Sequence, residues 1–386
     1  MKAEQFTKPN GRILISDEGV SAFVPKFLPP QFYYDHELIN LLAKTEVKVG
    51  ELKGIGELLT NPNTLIRPYL RREAVISSKI EGTLASMQDV LQYEAIGNIG
   101  EQESDRLRLH EVINYMHTLQ DNLDLIKSNK EKITLEMIKR AHKTLMLGVR
   151  GYDKKTGEFR KIQNWIVPYG ESAKNAVYTP PPPEYLDELL ENLGSFFTNP
   201  PEDMPVLIQC AILHYQFEAI HPFADGNGRI GRVLISLLLA EKDILPQPLL
   251  YLSAYFEKNI KEYYNGLLAI SQKSKWREWI KFFLQAMMEQ ADLTIKNIHM
   301  LIDLQKKYKE KLMTKRASGS AILLLDYLFE NPYMTVPRAQ QCLHLTYPSA
   351  KNAVQTLVEV GILEEVKMYF RSKVFHAKEI EDSLRG

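Results

Sequence analysis

Only two of the 386 residues are cysteine, Cys210 and Cys342. They lie far apart and form no CxxC pair. This excludes a disulfide framework and a cysteine-built metal site, and predicts a reducing compartment. Net charge is also missing: 48 basic residues balance 48 acidic ones. A neutral chain is a poor generic binder of nucleic acid or acidic membrane, although a local basic patch remains open. No apolar run reaches the length of about 18 residues that a membrane span needs. The opening MKAEQFTKPNGRILISDEG has no apolar stretch of the signal-peptide kind. The expected location is the cytoplasm. No HExxH occurs, and His214 and His221 lack a matching third ligand, which argues against a zinc hydrolase.

What is present is ordinary in bulk, at 45% hydrophobic and 25% charged. The length predicts more than one domain. Residues 1–35 read as irregular and prolines punctuate them. Helical periodicity runs from Leu38 to Thr118, broken at Asn61–Pro62 and Gly97–Gly100, and resumes over Ile133–Leu147. Segment 151–183 is a long non-helical interruption. Its two short β-prone pieces, Trp165–Val167 and Ala176–Thr179, predict a small hairpin flap. Helices are predicted at 184–197 and 203–220, the latter capped by Asp203. The last 70 residues read as helix, turn, helix and two β-prone runs, a winged-helix pattern. Lysines 306, 307, 309, 311 and 315 mark a linker before it.

Between two apolar helices lies HPFADGNGRIGR, residues 221–232. Each polar residue in it suits a polyphosphate. The segment ends at a helix start, where free N–H groups and the dipole attract anions. Gly226 and Gly228 permit a tight turn and close approach of phosphate oxygens. Arg229 and Arg232, three apart, project from one helical turn as paired guanidinium groups. Asp225 is a single carboxylate beside the phosphates, which suits Mg2+. His221 precedes a proline, so the preceding helix ends there and the imidazole is available as a general base. A second segment, RPYLRREAVISSKIEGT (67–83), reads as a helix with Pro68 in its first turn and Gly82 past its end. Ser77 and Glu81 share a face. Glu81 stands in the last turn, where the dipole disfavours an anion and a cationic partner is expected.

The 221–232 stretch resembles the HPFx(D/E)GNGRxxR signature of Fic-domain proteins at every specified position. GEFRKIQNWI, the segment ending YTPPPP, YYNGL and WREWIKFF resemble further Fic segments, so the likeness covers roughly residues 40–285. The resemblance implies a mainly α, helical-bundle Fic fold with a β-hairpin flap and a small C-terminal α+β winged-helix domain. The divisions it suggests are an N-terminal helical region (1–108), a catalytic core (109–285), a helical linker (286–315) and the winged helix (316–386). It also implies transfer of AMP from ATP to a Ser, Thr or Tyr hydroxyl of a protein target, with release of pyrophosphate. His221 would be the base and Asp225 the magnesium ligand. Gly226, Asn227 and Gly228 would form the anion hole, with Arg229 and Arg232 on the outer phosphates. Tyr263 and Tyr264 resemble the family's adenine-pocket pair, although such aromatics on a helix serve equally as core.

Lys174, Asn175, Ala176, Val177, Tyr178 and Thr179 would form an exposed strand that pairs with an extended target. Ser77-x-x-x-Glu81-Gly82 resembles the family's inhibitory motif, in which the glutamate pairs with the second signature arginine, here Arg232. Removal of AMP through the same site is the enzymatic alternative. A DNA-binding regulator built on residues 316–386 is the other, but acids and bases there are equal in number and duplex affinity needs excess positive charge. Self-modification and a homodimer are left open.

Overall fold

The computed structural model describes residues 1–15, 21–58, 63–96, 103–149, 155–167, 175–366 and 373–385. Helices dominate. The chain opens with a two-stranded antiparallel sheet, β1 (Gly11–Ile15) and β2 (Ser21–Pro25), in the register Ile13 to Phe23. This corrects the expectation of an irregular first 35 residues. Phe23 is fully buried beneath the sheet and packs on Phe6, so one aromatic anchors a segment whose prolines hide its strands.

Four helices follow: α1 (His36–Leu58), α2 (Asn63–Ile80), α3 (Met87–Ile96) and α4 (Glu103–Asn129). Helix α2 begins four residues before the predicted start, so Pro68 lies inside it rather than in its first turn. Next come α5 (Leu135–Leu145), α6 (Leu186–Thr198), α7 (Val206–Ile220) and α8 (Asn227–Glu241). Thr134 caps α5 by accepting from the Met137 N–H at 3.2 Å. Asp203 does not cap α7. Pro205 stands at that position, and its carbonyl accepts from the N–H groups of Ile208 and Gln209.

Helix α7 is buried almost all round. Several of its polar residues are paired, as burial requires. Gln216 donates to the Lys26 carbonyl, and His214 bonds the Tyr263 hydroxyl at 2.8 Å. Helices α9 (Ser253–Lys258) and α10 (Ile260–Lys273) lead into α11 (Trp276–Thr314), 39 residues without a break. The expected boundary at 285/286 falls inside α11. Beyond it Ile298, Leu301, Tyr308 and Leu312 remain buried, so this stretch is packed helix despite its lysines.

The C-terminal module consists of α12 (Gly319–Glu330), β3 (Tyr333–Met334), α13 (Val336–Leu343), α14 (Tyr347–Glu359), β4 (Glu364–Val366), β5 (Val374–His376) and α15 (Lys378–Arg385). The three strands form an antiparallel sheet in the order β3-β5-β4. One apolar core is continuous from Phe6 to Ile380, so the module is seated on the rest of the protein. No described helix is long and apolar enough to cross a membrane.

Candidate active site

The junction of α7 and α8 is a tight, cross-braced loop. His221 ends α7 in the left-handed region, at φ 51°, while its N–H donates to the Phe217 carbonyl. A non-glycine residue in that conformation is held by its surroundings. Here the clamp is Arg160, which sequence reasoning did not single out. It is buried, and its Nε donates to the His221 carbonyl at 2.9 Å. Its other nitrogens donate to the carbonyls of Ile162, Pro181 and Ile220. Burial lowers its pKa to about 10. Burial, then the Arg160 charge, lowers the His221 imidazole to about 4, and its Nδ1 has no hydrogen-bond partner among the described residues. The imidazole is therefore neutral at pH 7, the form a proton acceptor requires.

His142 braces the loop from below. Its ring stacks on Phe223 at 3.8 Å. The Gly157 N–H donates to Nδ1, so Nε2 carries the proton and donates to the Asp225 carbonyl at 3.0 Å. Burial lowers its pKa to about 4. His142 lies in no recognisable motif, and Arg160 falls within GEFRKIQNWI but without a role assigned to it there. Only their positions in space reveal them.

Gly226, at φ +75°, turns the chain into α8. The first bond of α8 runs from the Ile230 N–H to the Gly226 carbonyl, so the N–H groups of Asn227, Gly228 and Arg229 have no backbone acceptor among the described residues. Asn227 corrects one expectation. Its side chain accepts from the Phe223 N–H and donates to the Phe223 carbonyl, both at 2.8 Å. It is consumed in shaping the loop, which leaves only its backbone N–H for a ligand. Asp225 Oδ1 accepts from the Gly226 N–H at 2.7 Å, and Oδ2 makes no hydrogen bond among the described residues.

The two arginines are both buried but differ in partners. Arg229 Nη2 reaches the Met146 sulfur at 3.5 Å, while its Nε and Nη1 have no hydrogen-bond partner among the described residues. Glu111 stands 3.7 Å from Nη1. Glu111 also accepts a short hydrogen bond from the Thr83 hydroxyl. Arg232 is engaged along its Nε–Nη2 edge. Its Nε donates to Ser77 Oγ at 2.7 Å, and its Nη2 to the Ser77 carbonyl at 2.9 Å and to Glu81 Oε1 at 2.7 Å. Burial alone would raise the Glu81 pKa, but the Arg232 guanidinium more than offsets it and holds the carboxyl below its usual range. Glu81 stands just past α2, where its N–H bonds the Ser78 carbonyl, and Gly82 follows at φ +88°. The carboxylate lies so close to α8 that a Cβ on Gly228 would meet Glu81 Oε1 at 2.2 Å.

Glu218 is a further group missed by sequence reading. Burial raises its pKa to about 8, and its Oε1 is buried without a partner over Gly231. Tyr263 is core: it is 1% exposed, stacks on Phe256 at 4.5 Å and bonds His214. Tyr264 is half-exposed and near enough to Glu81 to feel its charge.

The flap differs most from expectation. Among the described residues it is one antiparallel bridge, Ile166 to Tyr178. Ala176, Tyr178 and Thr179 are buried, and Val177 is exposed. The Tyr178 hydroxyl donates to the Ala219 carbonyl, and the Phe23 N–H donates to the Thr179 carbonyl. The strand is therefore partly sealed by β2, leaving Val177 as its open position. Asn175 is exposed, and Lys174 lies outside the described residues.

Comparison with known proteins agrees with this arrangement. The Fic/DOC family pattern matches residues 132–239, and the Fic/DOC family N-terminal pattern matches residues 39–124. The two span half of the chain. The chain belongs to the Fic/DOC family. A curated relative, a probable protein adenylyltransferase of Aquifex aeolicus, is 30% identical over 182 residues, which cover 46% of this chain and 50% of the relative. The chain thus spans about half the length of that relative. A Fic family protein from Desulfovibrio desulfuricans has a TM-score of 0.58 at 20% identity, covering 91% of this chain and 98% of that one. Fic-1 from C. elegans has a TM-score of 0.55 at 19% identity, covering 68% and 74%. These two likenesses establish the mainly α Fic fold.

Proposed function

We propose that the protein transfers AMP from ATP to a hydroxyl of a protein target and that Glu81 restrains this activity. The observation that carries the reading is Arg229. It is a buried cation whose Nε and Nη1 lack hydrogen bonds among the described residues, with Glu111 3.7 Å from Nη1, set beside three N–H groups without a described backbone acceptor at the start of α8. A buried guanidinium left unsatisfied is costly, and phosphate oxygens would satisfy it. The curated relatives carry the name protein adenylyltransferase, which supports the same reading.

In this reading the phosphates lie across the N–H groups of 227–229 with Arg229 on the outer oxygens. His221 accepts the proton of the target hydroxyl. The oxygen forms a bond to the α-phosphorus, the bond from that phosphorus to the bridging oxygen breaks, and pyrophosphate leaves. Positioning and charge stabilisation supply most of the rate. The residues present fit Mg2+: Asp225 offers one free carboxylate oxygen, and no cluster of three ligating side chains occurs among the described residues. A single carboxylate plus substrate oxygens is the usual magnesium arrangement, and the ion would neutralise charge on the phosphates. Tyr264 is placed to border the nucleotide; Tyr263 supports it from the core.

Glu81 and Ser77 occupy every donor direction of Arg232 that faces them, which would deny that arginine to the triphosphate. Residues 316–386 are read as a winged helix for docking a protein, and Val177 as the flap position that meets the target. The test is mass-spectrometric detection of AMP on lysate proteins, with wild type, Glu81→Gly and Glu81→Gly/His221→Ala. Labelling by the second alone supports the reading. Equal labelling by all three, or none by any, overturns it.

A further inference from the structure

The helix that carries Ser77 and Glu81 is gripped at its other end. Arg71, less than three turns before Glu81 on α2, is only 3% exposed. Its Nε donates to both Glu94 oxygens at 2.9 Å, and its Nη2 lies 2.6 Å from Glu94 Oε2. Glu94 is on α3. Arg71 Nη1 donates a short bond to the Glu330 carbonyl, at the C-terminal end of α12 in the last module. A carbonyl at a helix C-terminus lacks an intrahelical donor and carries the negative end of the dipole, so a guanidinium satisfies it twice over. Asn331 closes the circuit: its Nδ2 donates to the Leu91 carbonyl at 3.1 Å and to Glu94 Oε2 at 3.2 Å. At the rim, Arg67 pairs with Glu330 at 3.4 Å.

The turn bearing Glu81, Gly82 and Thr83 connects α2 to α3, so this one network fixes both arms of that turn. Apolar packing also joins α2 to the module, since Leu70 and Ala74 of α2 share one buried core with Leu324 and Leu328 of α12. Leu91 and Ala95 meet Tyr333 and Val374 in a small cluster apart from the main core. Beside Arg71, between Val75 and Leu91, a cavity of about 180 Å³ remains. The polar circuit adds a fixed orientation to that packing, and a hydrogen-bond network can be worth more than its pairs taken singly.

We infer that Arg71 is a positioning residue for Glu81, through which the C-terminal module, with Glu94 and Asn331, holds the α2–α3 turn where Glu81 can reach Arg232. Displacing the module from α2 relaxes the turn and releases Arg232. This rests on the reading of Glu81 as the inhibitory group. Arg71 itself touches none of the residues assigned to phosphate binding or proton transfer.

The experiment uses the full chain. Arg71→Met keeps the length of the side chain and removes its bonds, and Asn331→Ala is a milder cut in the same circuit. Each is made with Glu81 present and with Glu81→Gly. Hydrogen exchange of amides 76–86 and AMP transfer from ATP are measured. With Glu81 present, both variants accelerate exchange over 76–86 and raise transfer by about fivefold, the scale of a mutation within a coupling network. In the Glu81→Gly background neither adds further transfer. Unchanged exchange over 76–86 in folded Arg71→Met and Asn331→Ala proteins overturns the inference, as does an equal rise in both backgrounds. If Arg71→Met does not fold, Asn331→Ala decides alone. Faster exchange while Glu81→Gly itself gives no gain in transfer sinks the inhibitory role of Glu81 and leaves the grip standing.

Discussion

The loop at 221–227 and the turn at 81–83 meet across Arg232, yet they are built differently. The loop is over-determined: Arg160, His142 and the Asn227 side chain each pin its backbone, and their donors and acceptors are spent inside it. The turn is held at its tip by Glu81 and Thr83. The Glu81 side chain keeps 35% of its exposure, and the polar circuit at Arg71 supports it from the far end of α2. The loop proposed to bind phosphate is thus pre-built, while the turn proposed to restrain it is attached by bonds that can be exchanged. Preorganisation belongs with catalysis, because donors fixed in advance need not reorganise during reaction. Exchangeable contacts belong with control.

The sharpest way to break this contrast is at His221. In a Glu81→Gly background, His221→Ala should lower AMP transfer by about a thousandfold in labelled-ATP assays, since a positioned base contributes that order. Thermal unfolding should barely change. Because burial holds its pKa near about 4, transfer should be flat from about pH 8 to about pH 5 and fall only below that. A profile that falls near pH 6.5 would show the imidazole to be solvated rather than buried.

Next in size is the turn. Glu81→Gly should raise transfer by about ten- to a hundredfold, the range of an ordinary coupling energy. Calorimetry should show tighter ATP binding alongside. An increase in transfer with no change in ATP affinity would move the effect away from Arg232.

The loop answers through stability. Asn227→Ala strips two hydrogen bonds from the Phe223 backbone, at a cost of about 2 kcal/mol, visible as a lower Tm and lost ATP binding. Ser77→Ala is milder. Arg232 loses one acceptor and keeps Glu81, so transfer should rise by only about fivefold, near 1 kcal/mol for one hydrogen bond.

Acid should act on the pre-built half. Burial holds His142 and His221 near about 4 and His214 near about 3, whereas unfolded imidazoles titrate near about 6.5. Between those values the unfolded chain binds more protons. Stability is therefore full above about pH 6.5 and is lost as pH falls toward about 4. Denaturant midpoints across that window check the sign.

Much of the site was readable in advance because its chemistry is local. His221 to Arg232 are consecutive, and a proline, two glycines and a helix start define their geometry within one turn. Glu81 and Ser77 were readable as a pair sharing a helix face. Their contact with Arg232 joins residues about 150 apart and rested on resemblance until the fold brought them together. The flap was misjudged because alternation predicts a strand but not what covers it. Here β2 and α7 seal Thr179 and Tyr178. Tyr263 was ambiguous for the same reason: a helical aromatic faces core or ligand depending on its neighbours, and His214 supplied the core answer.

The sequence by itself determined the helices, the phosphate-binding loop and the carboxylate that needed a cation, since these follow from periodicity, turn chemistry and dipoles acting over a few residues. Tertiary structure alone decided which buried groups are paired and which are left waiting. Arg232 is engaged by Ser77 and Glu81, Arg229 and Glu218 have buried atoms without hydrogen bonds among the described residues, and Arg71 ties the last module to the helix that leads to Glu81. Pairing across a fold depends on which distant surfaces meet, and chain order does not encode that in any local pattern.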